Sequence, residues 1–272
     1  MKIPRMIHQT VENMKQVLPE YESNRQEMSK LNPHWDVKLY TSDDREDFIR
    51  SAYDNEIFHA YLSIDRRYGA ARADFFRYLV ILNLGGLYLD IKATSTKSLD
   101  TIIRPEDTFI VAQWPTSIDG VDMSSVGNHK ELGFREYQNW FVLGAPNHLI
   151  LEKAVEEILR NIDSYNPFIH GVGKIGVLRT TGPIAYSKVV HKNIKVDGVR
   201  VATNEELGLR PTIHTIIDDQ NPFQNRQPTP HYSSLRVPII SSSKFTTFFV
   251  YIFFKTSHKF KRIIHRIAQL KV

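Results

Sequence analysis

At 272 residues and 42% hydrophobic, the chain can bury a sizeable core, as one catalytic domain with an appendage. The lack of cysteine excludes disulfides and thiolate zinc sites. The net charge of +5 is unevenly placed: nine of the 35 Lys/Arg and none of the 30 Asp/Glu lie in 220–272, so the body is about −4 and the tail +9, which moves any question of anionic partners to the C-terminus.

In chain order, "MKIPRMIHQT" reaches a proline and polar residues before an apolar run of signal length, so it does not read as a secretory leader and the protein is expected to start at Met1. "IPRMIHQT" (3–10) suits a buried strand running into a loop, and "HWDVKLYTSDD" (34–44) a second strand closed by an acidic turn. A helical pattern spans about Asp65 to Leu84, with Gly85 where helices take a left-handed cap. Leu87-Tyr88-Leu89 makes the next strand, followed by strands at 108–114 and 139–145, a helix over about 147–161 and a strand at 213–218. The polar, glycine-bearing run 115–138 reads as a functional loop or lid. Such alternation predicts α/β layers around a mostly parallel sheet, as one domain over 1–235 followed by a tail over 236–272.

In the tail, Phe260, Ile263, Ile264, Ile267 and Leu270 form one stripe of a helix whose flanks carry Lys259, Lys261, Arg262, Arg266 and Lys271. The aromatic block "FTTFFVYIFF" (245–254) precedes it and is far shorter than the ~20 residues of a membrane span. Two readings stand: both segments pack on the protein's own core, or they lie in a membrane interface with the cations towards anionic headgroups, and the pattern favours the second. Nucleic acid is not expected, since the aromatics form a solid block and not spaced stacking platforms.

Ligands of open α/β sheets bind beyond the carboxyl ends of strands, where Asp90 falls. Asp74 and Arg77, three apart, share a face of the preceding helix. An exposed pair of this kind contributes only a few tenths of a kcal/mol. This helix, "AARADFFRYLVILNLGG", is apolar nearly all round, and buried charges persist only when partnered or used. An Asp, an Arg and a strand-end Asp converging there suit a polyol and phosphate site.

The run "AARADFFRYLVILNLGGLYLDIKA" resembles the signature of the DXD-containing sugar transferases, glycosyltransferase family 32, and "IPRMIHQT", "NWFVLGAPNHLILEKAVEEI" and "TTGPIAYSKVV" resemble further pieces of it, over roughly 3–190. Val11 stands where the family's opening strand is usually followed by Trp. The resemblance implies a GT-A fold, a UDP- or GDP-sugar donor and hexose transfer with retention to a glycan or lipid-linked acceptor. It also implies a mannosyltransferase-like enzyme of bacterial capsule, O-antigen or lipopolysaccharide assembly, cytoplasmic and peripheral on the inner face of the membrane. Carried across, Asp74 and Arg77 bind the transferred sugar and Asp90 the ribose and sugar–phosphate region, the three forming the catalytic set. Ile7, His8 and Gln9 flank the nucleotide, and Arg72, Tyr78, Gly85, Gly86, Tyr88, Lys92, Asn139, Gly182 and Pro183 complete the substrate-binding set, with the acceptor beneath the 115–138 loop.

The family also implies Mn²⁺ or Mg²⁺, with Asp90 as one ligand, but Lys92 stands where the second Asp belongs. Either the ammonium supplies the positive charge that meets a leaving diphosphate, or Lys92 turns to solvent while Asp218, Asp219 or His231 ligates an ion. Two alternatives accompany the transferase: a degenerate one that only binds sugar nucleotide or glycan, and a haloacid-dehalogenase-like phosphatase echoed by "LYLDIKAT" and "IIDDQ".

Overall fold

The computed structural model describes residues 2–214, 231–241 and 252–253. In chain order the elements are β1 (Met6–Thr10), α1 (Pro19–Leu31), β2 (Asp36–Tyr40), α2 (Ser42–Ala52), α3 (Asn55–Ser63), α4 (Gly69–Leu84), β3 (Gly86–Leu89), β4 (Thr94–Ser95) and α5 (Leu99–Ile102). They continue with β5 (Phe109–Val111), β6 (Ser117–Ile118), β7 (Val121–Asp122), β8 (Phe141–Gly144), α6 (Leu149–Asp163), α7 (Pro167–His170), α8 (Gly173–Thr180), α9 (Pro183–Asn193), β9 (Val199–Val201), α10 (Asn204–Leu207) and β10 (Leu209–Arg210).

The main sheet has the order β2-β1-β3-β8-β5-β9. The β1–β2, β1–β3 and β5–β9 pairs are parallel, and β8 runs antiparallel to both of its neighbours. This is the mostly parallel α/β sheet that the sequence predicts. Side-chain alternation divides it into two apolar layers. Tyr88, Val142, Phe109 and Val111 face a core with α4 and α6, while Ile7, Leu87, Leu89, Ile110, Phe141 and Leu143 face another with Met28 of α1 and Leu99 of α5.

Helix α4 starts at Gly69, later than the pattern suggests, because Asp65 to Tyr68 form a turn in which the Tyr68 N–H donates to the Asp65 carbonyl. The helix ends at Gly85, whose N–H donates to Ile81, but with φ +68° and ψ −169° this glycine is not in the left-handed helical region. The chain turns at once into β3, and a Cβ at Gly85 would press on Pro4 and Pro146 while one at Gly86 would strike the Met6 carbonyl. Gly85-Gly86 is therefore demanded by a close helix-to-strand turn.

The predicted loop 115–138 contains the β6–β7 hairpin, turned by Asp119 at φ +51° and Gly120 at φ +80°. These are the positive angles an Asp-Gly hairpin turn requires. The strand expected at 213–218 does not form at Ile213 and His214, which lie in a bend, and its other residues lie outside those described. So do the expected basic helix near 255–270 and all of the 245–254 block except Ile252 and Phe253.

Residues 236–241, which the sequence division assigns to the tail, pack on the body. The Asp65 N–H donates to the Ile239 carbonyl (2.7 Å), the Tyr68 hydroxyl to that of Val237 (2.7 Å) and the Ile239 N–H to the Tyr165 hydroxyl (3.0 Å). Among the described residues no helix is long and apolar enough to cross a membrane.

Candidate functional site

Topology brings three chain segments to one edge. Strand β3 runs parallel to β1 and delivers Asp90 just past its carboxyl end. Because β8 is antiparallel, the residues that precede it, Asn139 and Trp140, arrive at the same edge, and the Asp90 N–H donates to the Trp140 carbonyl (2.9 Å). Helix α4 contributes Asp74 and Arg77 from within the core layer.

Arg77 joins the two acids. Its Nη2 lies 3.2 Å from Asp74 Oδ1 and 3.1 Å from Asp90 Oδ1, its Nη1 donates to the Asn139 carbonyl, and its guanidinium sits 4.7 Å from the Tyr88 ring centre. The Tyr88 hydroxyl donates to Asp90 Oδ1 (3.2 Å). The Asn139 side-chain amide donates to Asp74 Oδ1 (3.1 Å) and to the Tyr78 hydroxyl (3.0 Å), and Tyr78 stacks on Tyr186 at 5.2 Å. The Asp90 side chain is 31% exposed, against 9% for Asp74 and 6% for Arg77. Asp90 is thus the open lip of the site, and the other two form its floor.

Burial pushes the Asp74 carboxyl up to about 6 despite the Arg77 guanidinium, and the Asp90 charge pushes the same way. Every polar neighbour offers it a proton donor, including the Thr181 hydroxyl at 3.4 Å from Oδ2, so the surroundings are built for the ionised form. Protonation removes an acceptor from this network. We therefore expect kcat/KM for a sugar-nucleotide donor to fall as pH drops through about 6, with Asp74→Asn abolishing that limb of the pH profile. An unaltered acid limb in the variant would assign the titration to another group.

The remaining predicted residues divide by what they touch. Gly182 carries no Cβ because one would meet the Leu178 backbone at 2.9 Å and Asp74 Oδ2 at 3.3 Å, and Pro183 opens α9 beside it. Ile7 lies in the apolar layer. His8 is buried between the Tyr40 hydroxyl (3.1 Å) and the Gly85 carbonyl (3.0 Å), and burial lowers its pKa to about 4, so it is neutral. Gln9 is wholly buried with neither amide atom hydrogen-bonded. Arg72 donates to the Ile64 and Leu62 carbonyls and to Glu46, away from the acidic floor.

Three residues here were not singled out by the sequence. Thr181 was legible within the Thr-Gly-Pro motif. Tyr232 was not: it lies 142 residues beyond Asp90 and packs against the core layer that holds α4, and burial first, then the charges of Asp74 and Asp90, raise its phenol to about 12. Lys174 and Lys92 both act on the neighbouring His231 imidazole, which burial already holds below its usual pKa.

Asp90 Oδ1 is held by Arg77 and Tyr88, and Asp74 is sequestered by Arg77, Asn139 and Thr181, so the two acids do not form a shared seat for a divalent ion. Among the described residues no three His, Asp or Glu side chains could hold a metal together, and Asp218 and Asp219 lie outside those described.

A family model, the glycosyltransferase sugar-binding region containing DXD motif, matches residues 18–110, which include Asp74, Arg77, Asp90 and Lys92. The chain is 26% identical over 148 residues to the mannosyl phosphorylinositol ceramide synthase CSH1 of Saccharomyces cerevisiae, covering 52% of this chain and 38% of that protein. It is 25% identical over 189 residues to inositol phosphoceramide mannosyltransferase 2 of Schizosaccharomyces pombe, covering 68% of this chain and 45% of that protein. It thus spans less than half the length of these relatives. Among solved structures, PaToxG Glycosyltransferase aligns with a TM-score of 0.49 at 16% identity, over 71% of this chain and 69% of that one.

Proposed function

We propose that this chain, a glycosyltransferase of the DXD-containing, family-32-like group, moves a hexose from a UDP- or GDP-sugar to a glycan or lipid-linked acceptor with retention of anomeric configuration. The observation that carries the proposal is the joining of Asp74 and Asp90 by one buried arginine at the carboxyl edge of β3. Mannose is the favoured sugar because the relatives above are named as acting with mannose, and surface-polysaccharide assembly is the favoured setting because the motif set resembles capsule and O-antigen enzymes.

The chemistry asks little of a protein nucleophile. As the C1–oxygen bond breaks, its electron pair stays on the leaving phosphate. The acceptor hydroxyl attacks C1 from the same face and gives its proton to a phosphate oxygen. The protein's task is positioning, with the Asp74–Arg77 floor against sugar hydroxyls and Asp90 at the ribose and sugar–phosphate end. The acceptor is proposed to dock beneath the 115–138 loop, where Asn128, His129, Lys130, Gly133, Phe134 and Arg135 line a shallow open depression.

A panel of UDP- and GDP-sugars, scored for nucleotide release and for the anomeric configuration of the product, tests this. Nucleotide binding without turnover across the panel would instead leave a sugar-nucleotide binder.

The tail is proposed to hold the protein on the cytoplasmic leaflet. Six Lys/Arg lie between Lys255 and Lys271, each contributing up to ~1 kcal/mol near an anionic surface. Phe253 packs edge-on against Phe168 of α7 at 5.1 Å, and with Ile169 and Ile252 these side chains stay 42–71% exposed, as an apolar lipid contact would need. Ending the chain at Lys244 should release it from anionic vesicles while leaving donor hydrolysis largely intact, and binding by the full chain should weaken with salt. Unfolding of the shortened chain would show that the tail belongs to the core.

A further inference from the structure

We infer that residues 115–136 form a strap drawn across the site, held shut at its two flanks by the ion pairs Asp119–Arg210 and Glu131–Arg179, that keeps water from the donor until an acceptor is seated. The inference rests on the transferase reading above and concerns the regulation of the same site.

The strap leaves the sheet after β5 and returns into β8, which is antiparallel to both β5 and β3, so its roots lie at the edge where Asp90 lies. The roots are densely tied. The Gln138 N–H donates to the Ala112 carbonyl (2.8 Å), the Glu136 N–H to that of Gly127 (2.9 Å) and the Trp114 indole to Glu136 Oε1 (2.9 Å), while His129 Nε2 lies 2.7 Å from Glu136 Oε2. Arg135 Nη2 donates to the carbonyls of Pro115 (2.9 Å) and Met123 (2.8 Å), which binds the base of the β6–β7 hairpin to the returning chain. The flanks end on segments that themselves carry site residues. Arg210 of β10 is paired in register with Thr94 of β4, four residues beyond Asp90, and Arg179 of α8 stands two residues before Thr181, whose hydroxyl faces Asp74. From Asp119 to Glu131 the strap therefore reaches from the Asp90 side of the site to the Asp74 side.

The hold is uneven along its length. The hairpin tip meets β10 through Asp119 and Arg210, whose side chains are 40% and 42% exposed. Glu131 meets α8 through Arg179 at 3.0 Å, the two being 30% and 35% exposed, and Phe134 stacks on His191 of α9 with 3.8 Å between ring centres. Exposed pairs of this kind shift an equilibrium by no more than about fivefold and weaken with salt. The flanks therefore release first and the root serves as the hinge. The chemistry gives such a cover a task. Water can replace the acceptor hydroxyl at C1: its oxygen bonds to C1, the C1–oxygen bond breaks with its electron pair left on the phosphate, and its proton passes to a phosphate oxygen. A strap that opens for the acceptor and otherwise stays shut favours transfer over this hydrolysis.

Hydrogen–deuterium exchange of the full chain tests the strap, with nucleotide release from UDP- and GDP-sugars in water alone as the second readout. Asp119→Asn keeps a residue that tolerates the positive φ of the turn, and Arg179→Gln keeps most of the stem. In the first variant the amides of 117–122, and in the second those of 129–133, are expected to exchange about two- to fivefold faster, with α4 and β3 unchanged and water-driven release raised by a similar factor. Salt at about 0.5 M should do the same to the wild type. The reversed pair Glu131→Arg/Arg179→Glu should restore both readouts. Wild-type levels of either readout in both single variants, or no recovery in the reversed pair, would overturn the strap and leave the transferase standing. Failure of the wild type to release nucleotide from any of the sugars would overturn the transferase reading and the gating role with it.

Discussion

Arg77→Ala is expected to lower kcat/KM for the sugar-nucleotide donor by about 10²- to 10³-fold, roughly 3–4 kcal/mol of transition-state stabilisation. The magnitude follows from what the guanidinium connects. Among the described residues it is the group that pairs with both Asp74 and Asp90, and it also holds the Asn139 carbonyl, so its loss unhooks α4 from the β3 end and from the entry to β8. Without it Asp74 is a buried carboxylate with a like charge nearby, and it takes up a proton at higher pH. Arg77→Lys should recover little, because one ammonium cannot bridge two carboxylates and a carbonyl in a planar fork. Asp74→Asn keeps the shape and tests the same positioning without leaving a charge unpaired. Thermal unfolding of each variant separates lost turnover from lost fold. Wild-type kcat/KM in a folded Arg77→Ala would remove these residues from sugar positioning.

How much of this was legible depended on how local each signal was. Asp74, Arg77, Gly85-Gly86 and Asp90 sit within 17 residues, where helical spacing, an apolar surround and a helix-to-strand turn each constrain the next residue. The strand-end position of Asp90 follows from the same pattern. Short helices such as α8 and the edge strand β9 escaped, since three to eight residues carry too few periods to show a face. The segment 231–241 escaped for a different reason: Ile239 enters the core from a stretch without regular period, and the rest is tied by backbone groups and by the hydroxyls of Tyr68 and Tyr165, contacts that leave no trace in hydrophobic periodicity. Its placement depends on tertiary contacts between residues 74 to 174 positions apart, from Tyr165 and Ile239 to Asp65 and Ile239.

Arg72→Ala is expected to cost about 3–5 kcal/mol of stability, because deleting one partner of a buried pair leaves the other without compensation. Family resemblance places Arg72 with the substrate groups, and its position two residues before Asp74 makes that natural. Its side chain, however, is 2% exposed and fully engaged: Nη1 donates to Glu46 (2.9 Å), Nε to the Ile64 carbonyl (2.9 Å) and Nη2 to that of Leu62 (3.3 Å), with the Tyr61 ring 5.1 Å away. Arg72 thereby ties the first turn of α4 to α2 and to the end of α3, next to the bridge between Ile64 and Ile240 that carries the C-terminal segment back across the body. For a chain of this size the loss corresponds to a fall in Tm of roughly 10 °C. At temperatures where the variant remains folded, donor affinity should stay near that of the wild type, because none of these contacts faces the acidic floor. A variant with unchanged Tm and lost donor binding would return Arg72 to the substrate set, and Glu46→Gln separates the two cases again: it removes the partner charge, and should lower Tm, without altering the arginine a substrate would meet.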